Sequence, residues 1–146
     1  MARKARIRPM ALCVFRHRGR ILVARGRDSS NGASFYRPLG GGIDFGETGA
    51  GAIVREIDEE LGAAISAPRY LGTLESIFTY RGKPRHELLL IYDADFLDPD
   101  IYDRERVEAR EGKRRIIARW LAPDAIHDAP LVPEGLSDLL RSQPCP

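Results

Sequence analysis

Three glutamates, Glu56, Glu59 and Glu60, stand in a stretch that also holds Arg55 and closes at Gly62. Wound as a helix at about 100° per residue, the three carboxylates fall within one arc of roughly 100°. Ile53, Ile57 and Leu61 recur every fourth residue beside that arc. One edge of the helix can therefore dock on a core while another presents acid. Like charges this close repel by about a few tenths of a kcal/mol per pair even on an exposed helix. Hard divalent cations, Mg²⁺ or Mn²⁺, neutralise such a cluster most simply, because they prefer oxygen ligands. Gly40, Gly41 and Gly42 precede the helix, and Glu47 lies just before its start.

Other readings of the glycines fail on spacing. A dinucleotide-binding turn needs G-x-G-x-x-G, and Phe45 occupies the third glycine's place after Gly40 and Gly42. A phosphate-binding P-loop needs a lysine after its last glycine, whereas Gly46 is followed by Glu47 and Thr48. The alternating Asp/Asn ligands of an EF-hand are absent. What remains beside a metal–phosphate site is an acidic surface helix with no ligand.

The same residues resemble the Nudix box, G-x5-E-x7-R-E-U-x-E-E-x-G-U, where U is a bulky aliphatic. Gly41, Glu47, Arg55, Glu56, Ile57, Glu59, Glu60 and Gly62 fill their places, and Ala63 departs mildly at the last. The resemblance implies a Mg²⁺-dependent pyrophosphohydrolase, with Mn²⁺ as a substitute, that splits a nucleoside diphosphate linked to some group X. It implies Glu56, Glu59 and Glu60 as metal ligands, with the Gly40 carbonyl as a further one. Arg55 would orient the carboxylates through charge-assisted hydrogen bonds, and Glu47 would support the loop or the outer metal shell. The general base stays open between a box glutamate, Glu87, Glu108 and Glu111, the last also a candidate metal ligand. Gly41, Gly42, Tyr36 and Arg37 are candidates for the substrate, Phe35, Tyr36 and Arg37 by stacking a base or holding a phosphate, with packing under the sheet as the alternative. Tyr80 lies 17 residues past the box and is similar in spacing to the tyrosine marker of dinucleoside polyphosphate hydrolases. No proline stands near Phe78, where the ADP-ribose group carries one. A regulatory module that binds a nucleotide without cleaving it is the alternative function, and a diphosphate isomerase would need a catalytic cysteine besides.

The rest of the chain must position this stretch. Residues 7–15 and 20–25 read as strands, 26–33 as a polar loop and 34–37 as a short strand leading into the glycines. A helix is expected over about 48–61, its Gly49 and Gly51 explained by close approach of another backbone. Residues 70–80 and 87–96 form a hairpin around Gly82, Lys83 and Pro84. Residues 98–113 are charged, lack an apolar stripe and read as a mobile loop. A strand at 116–121, a helical turn at 123–127 and a closing helix at 133–140 complete an α/β or α+β sandwich. The box implies more specifically the Nudix fold, a mixed sheet between helices in an α/β/α sandwich.

At 146 residues, 43% hydrophobic and 30% charged, the chain reads as a single domain over 1–146 with a buried core. A net charge of +2 is too small to argue for a stable nucleic-acid complex. The basic first residues read as a solvated lead-in, and the apolar run over 10–15 is too short for a signal-peptide core or a membrane span. Two cysteines, Cys13 in the core and Cys145 in the tail, make neither a disulfide framework nor a zinc site. The expectation is therefore a reducing cytoplasm. The partner is a small nucleotide-type substrate, and homodimer formation stays open.

Overall fold

The computed structural model describes residues 5–143. Strand β1 (Ile7–Cys13) shows how the layers are built. Its successive side chains point to opposite faces. Ala11 and Cys13 enter a core with Ala52, Ile53 and Ile57 of helix α1 (Gly49–Leu61). Met10 and Leu12 enter a second core closed by Leu136 of helix α2 (Leu136–Ser142). A strand covered on both faces must be apolar throughout, which accounts for the unbroken run Met10, Ala11, Leu12, Cys13, Val14 and Phe15.

Two sheets share these cores. In the first, β1 lies antiparallel to β5 (Leu39–Gly42) and parallel to β7 (Lys83–Asp93), and β7 pairs with β6 (Arg69–Tyr80) at the edge. In the second, β3 (Arg20–Arg27) pairs with β2 (Arg16–His17), β4 (Ser34–Arg37) and β9 (Arg114–Leu121), and β9 carries β8 (Arg106–Glu111). The result is the α/β/α sandwich of the Nudix fold. The β2–β3 and β6–β7 hairpins both turn on an Arg-Gly pair with positive φ, Arg18-Gly19 and Arg81-Gly82. That geometry suits the right-handed twist of the flanking strands. The β6–β7 turn thus falls one residue earlier than its proline suggests, and β7 starts at Lys83 rather than 87.

The largest departure from the sequence reading is 98–113. Pro99–Asp103 forms a 3-10 turn that buries Ile101, whose carbonyl accepts from Trp120 Nε1 at 3.3 Å. Arg106–Glu111 is strand β8, with Val107 and Ala109 buried and charged residues between them. The alternation was present in the sequence, but two small apolar residues among arginines and glutamates give a weak period-two signal. The first four residues of the lead-in and Cys145 lie outside the described residues. Cys13 is fully buried. Among the described residues no helix is long and apolar enough to cross a membrane.

Helix α1 is capped as its flanking residues suggest. The Thr48 hydroxyl accepts from the Gly51 amide at 3.0 Å, and Gly62 ends the helix in the left-handed conformation. Ile53 and Ile57 are fully buried, and truncating either to alanine costs about 2–5 kcal/mol. The expected reason for Gly49 and Gly51 needs correcting. A Cβ on Gly49 would lie 2.3 Å from the Tyr92 hydroxyl, a side chain rather than a backbone, and one on Gly51 would meet the capping Thr48 Oγ1 at 3.1 Å and Glu47 Cγ at an ordinary 3.6 Å. Gly49→Ala is therefore expected to lower the melting temperature by several degrees, through overpacking worth about 1–3 kcal/mol. Gly51→Ala is expected to leave it unchanged or raise it, since alanine favours a helix by up to about 1 kcal/mol. Equal shifts in a thermal melt of the two variants would refute side-chain crowding at Gly49.

Candidate functional site

Arg55 gathers the site. Its Nε and Nη2 donate to the two oxygens of Glu47 at 2.8 and 2.9 Å, a bidentate pair that reaches from the helix to the preceding loop. Nη2 also donates to the Gly42 carbonyl at 3.0 Å, and Nη1 to Glu56 Oε1 at 3.0 Å. Glu59 and Asp44 stand 3.5 Å away at ion-pair distance. The loop locks itself as well, the Asp44 amide donating to Glu47 Oε1 at 3.1 Å. Hydrogen bonds from Arg55, then from the Asp44 amide, hold the Glu47 carboxyl down at about 2, and the hydrogen bonds to Glu47, then to Glu56, raise the Arg55 pKa above its ordinary value.

Glu56 and Glu60, four residues apart on α1, form the inner acid pair. Glu60 is only 8% exposed. Burial first, then the neighbouring Glu56 carboxyl and Glu111, push its pKa up to about 9, while Arg37 pulls the other way. Glu56 in turn needs the glycine beneath it. A Cβ on Gly41 would sit 2.5 Å from Glu56 Oε1. Gly40 is glycine for another reason: it has φ +149°, and a Cβ there would lie 2.1 Å from the Ala11 carbonyl oxygen. The backbone that comes close to Gly40 is that of β1.

The donor set fits a hard divalent cation in its chemistry. All the groups are oxygens, and Glu60 keeps a proton in the place where a second positive charge would relieve Glu56. As they stand, no three Asp, Glu, His or Cys side chains among the described residues converge on one point. Glu59 is turned toward Arg55 with its side chain 58% exposed, so completing a ligand set takes a rotation of Glu59 or Glu111. Glu59 and Glu60 also line a cleft of about 290 Å³ shared with Glu108, Arg110 and Arg115.

The other sequence candidates separate in space. Glu111, at the end of β8, acts on Glu60 and belongs to this acid group. Glu108 is paired with Arg115 at 2.6 Å on an exposed face. Glu87 is buried and faces Arg37 Nη2 at 3.7 Å and Arg8 Nη1 at 3.8 Å. Arg37 thus lies between Glu60 and Glu87. Tyr36 does not: it is buried, its hydroxyl donates to Asp128 at 3.0 Å, and its ring packs in the α2-side core. Of the two readings for that tyrosine, packing describes the position it occupies. Tyr80 sits at the hairpin end, 6.1 Å edge-on from Phe35. Gly42 contributes its carbonyl to Arg55. Arg8 and Arg85 were not singled out in the sequence; only the strand register, which sets Arg8 opposite Glu87, brings them forward.

Taken together, an acid-faced helix tied by one arginine to a glycine strand, within an α/β/α sandwich, is the arrangement the Nudix box implies. A family model for the NUDIX domain matches residues 5–141, and the chain belongs to that family. Among solved structures it is similar to the MutT NUDIX hydrolase from Burkholderia pseudomallei, at 26% identity and a TM-score of 0.68, over 95% of this chain and 99% of that one. It is also similar to the E. coli ORF135 protein, at 23% identity and a TM-score of 0.62, over 92% and 87% of the two chains. A UDP-X diphosphatase aligns at 18% identity and a TM-score of 0.57, over 88% of this chain and 57% of that one. The last two likenesses show the fold alone. A comparison with curated proteins found no match. The class is therefore that of the NUDIX hydrolases, which act on nucleotide-type small molecules and generally use divalent metals.

The Glu47–Arg55 pair makes a pH signature. Glu47 titrates near 2 when folded and at about 4.3 when unfolded, so its folded pKa is depressed. The stability it contributes is present above the unfolded value and is lost as pH falls from about 4.3 toward 2. Urea midpoints of the wild type are expected to fall across that window more steeply than those of Glu47→Gln. Identical slopes would mean that the pair is not formed in solution.

Proposed function

We propose that this protein is a Mg²⁺-dependent hydrolase, with Mn²⁺ as a substitute, that cleaves the pyrophosphate bond of a nucleoside diphosphate linked to X. The observation that carries the reading is the buried Glu60 beside Glu56, with Arg37 adjacent: paired acids next to an arginine suit a metal-bound diphosphate. Glu56 and Glu60 would hold the cation, with Glu59 or the Gly40 carbonyl completing the set. Bound there, Mg²⁺ would neutralise diphosphate charge and make a water more acidic. Arg55 keeps Glu56 in place, and its bidentate grip on Glu47 fixes the loop on which that geometry depends. Arg37 offers its guanidinium to a phosphate oxygen.

The reaction then balances simply. As the water oxygen bonds to phosphorus, its proton passes to a carboxylate, and Glu111 is the acid of this group that lies on a strand facing the helix. The bridging P–O bond breaks, and its electron pair leaves with the departing phosphate. Glu87 is less suited to the proton's role, because two arginines already face it. The isomerase reading loses its nucleophile among the described residues. Cys13 is buried, and burial pushes its thiol well above the ordinary value, so it is not a ready thiolate.

Hydrolysis of a panel of nucleoside triphosphates, dinucleoside polyphosphates, ADP-ribose and UDP-glucose, read by chromatography of the nucleotide products, is expected with Mg²⁺ and is lost on chelation. Glu60→Gln is expected to lower kcat/KM by at least about a hundredfold, the scale on which loss of charge stabilisation in the transition state is felt. Full activity in Glu60→Gln would sink the ligand assignment. Binding of a nucleotide without any turnover by the wild type would favour the regulatory module.

A further inference from the structure

A second set of charged and aromatic side chains stands beside the carboxylates and has no part in holding a cation. Glu87, 5% exposed, faces Arg37 at 3.7 Å and Arg8 at 3.8 Å. These are ion-pair separations, too long for hydrogen bonds. Arg85 precedes Glu87 by two residues on β7 and so lies on the same side of the strand. The Arg85 guanidinium stands 6.0 Å from the centre of the Tyr80 ring, and that of Arg81 5.1 Å. Tyr80 meets Phe35 edge-on at 6.1 Å. Phe35 precedes Arg37 by two residues on β4, which closes the circuit Arg37, Glu87, Arg85, Tyr80, Phe35. The hairpin end that carries Tyr80 is pinned in place, because the Arg81 amide donates to Asp28 Oδ2 at 3.1 Å.

This circuit is short of negative charge. Arg8, Arg37 and Arg85 have one carboxylate among them at these contacts. Arg37 Nη2 and Arg85 Nε are shielded from solvent yet donate to no atom of the described residues. A shielded guanidinium donor without an acceptor is unfavourable. An acceptor that served both arginines would be anionic and rich in oxygen, and the Tyr80 ring, which Arg85 and Arg81 already face, bounds the place where it would lie.

We propose that Arg37 and Arg85, positioned by Glu87, form a second anion site with Tyr80 as its wall. It selects substrates with three or more linked phosphates, nucleoside triphosphates or dinucleoside polyphosphates, over nucleoside diphosphates linked to an uncharged sugar. The proposal rests on the hydrolase reading above and names its substrate class. Arg37 and Arg85 touch the phosphate chain beyond the bond that is cut. Glu87 is a positioning residue that acts through Arg37.

Two measurements test it separately. In the first, wild-type kcat/KM for nucleoside triphosphates and diadenosine tetraphosphate is compared with that for UDP-glucose and ADP-ribose. The polyphosphates are expected to be preferred, and Arg37→Ala to reduce that preference at least about tenfold, chiefly through KM, with Arg37→Lys recovering part. Which of the two polyphosphates leads tells whether a second nucleoside is used. In the second, inorganic tripolyphosphate is titrated by calorimetry into the metal-free protein. Binding is expected in the wild type and at least about tenfold weaker in Arg37→Ala and in Arg85→Ala. Arg85→Ala, a change near the hairpin end, keeps the test open if Arg37→Ala folds poorly. Equal use of UDP-glucose, or tripolyphosphate binding unchanged in both variants, overturns the anion site. Absence of turnover on every substrate overturns the hydrolase reading instead, and the calorimetric comparison still decides the site.

Discussion

Everything at this site depends on one guanidinium. Arg55 projects from the helix and satisfies its donors on three different pieces of chain: the Gly42 carbonyl at the end of β5, the Glu47 carboxylate in the loop and Glu56 on the helix itself. Strand, loop and helix are thereby held in one relation. A lysine could meet one of these partners as a point charge but could not span them, because the planar fork supplies the geometry. The group is about a third exposed, so solvent screening makes its pairs worth less than fully buried ones. Its value lies in placement. With Glu47 satisfied, the Glu56 carboxylate sits in the space that Gly41's missing side chain leaves and stands beside Glu60.

Below that network the scaffold is a consequence of β1. Its two faces feed two cores, one roofed by α1 and the other by α2. Because α1 packs Ala52, Ile53 and Ile57 onto the face that carries Ala11 and Cys13, the opposite edge of the helix must carry its acids outward, toward the end of β8. Gly40 lets β5 run close to β1, with its Cβ position blocked by the Ala11 carbonyl oxygen. A strand that could not come so near would move the loop, and with it Glu47 and the partner of Arg55.

These relations were unevenly legible in the sequence. The helix was plain, since Ile53, Ile57 and Leu61 mark its buried edge, Thr48 and Gly62 mark its ends, and Arg55 with its glutamates matches a family pattern. Strand β8 was not, because Val107 and Ala109 are too small and too surrounded by charge to stand out from a polar loop. Gly41 and Gly42 were visible as glycines but not in what they do, which is to seat Glu56 and to offer a carbonyl to Arg55. The contacts of Arg37, Glu87, Arg8 and Arg85 join β4, β7 and β1. No local periodicity encodes them, because they follow from the register that sets Arg8 opposite Glu87 and from the way two sheets meet. The helix was written in short-range spacing and its surroundings in long-range pairing.

The same difference changes the electrostatics. From sequence, the glutamates repel as neighbours on an exposed helix, by about a few tenths of a kcal/mol per pair. Once Glu60 is almost covered, water no longer screens it, and two full charges about 4 Å apart at an effective dielectric near 20 would interact by about 4 kcal/mol. Burial penalises the charged form of Glu60 most, and the Glu56 carboxyl adds to it, so the Glu60 pKa rises, while that of Glu47, hydrogen-bonded by Arg55, falls. The two glutamates differ in charge state because of their surroundings. Burial therefore sharpens what the helix spacing only suggested: Glu47 is an anion already satisfied by the protein, whereas Glu56 and Glu60 together are a crowded acid pair, the feature on which the proposed cation site rests.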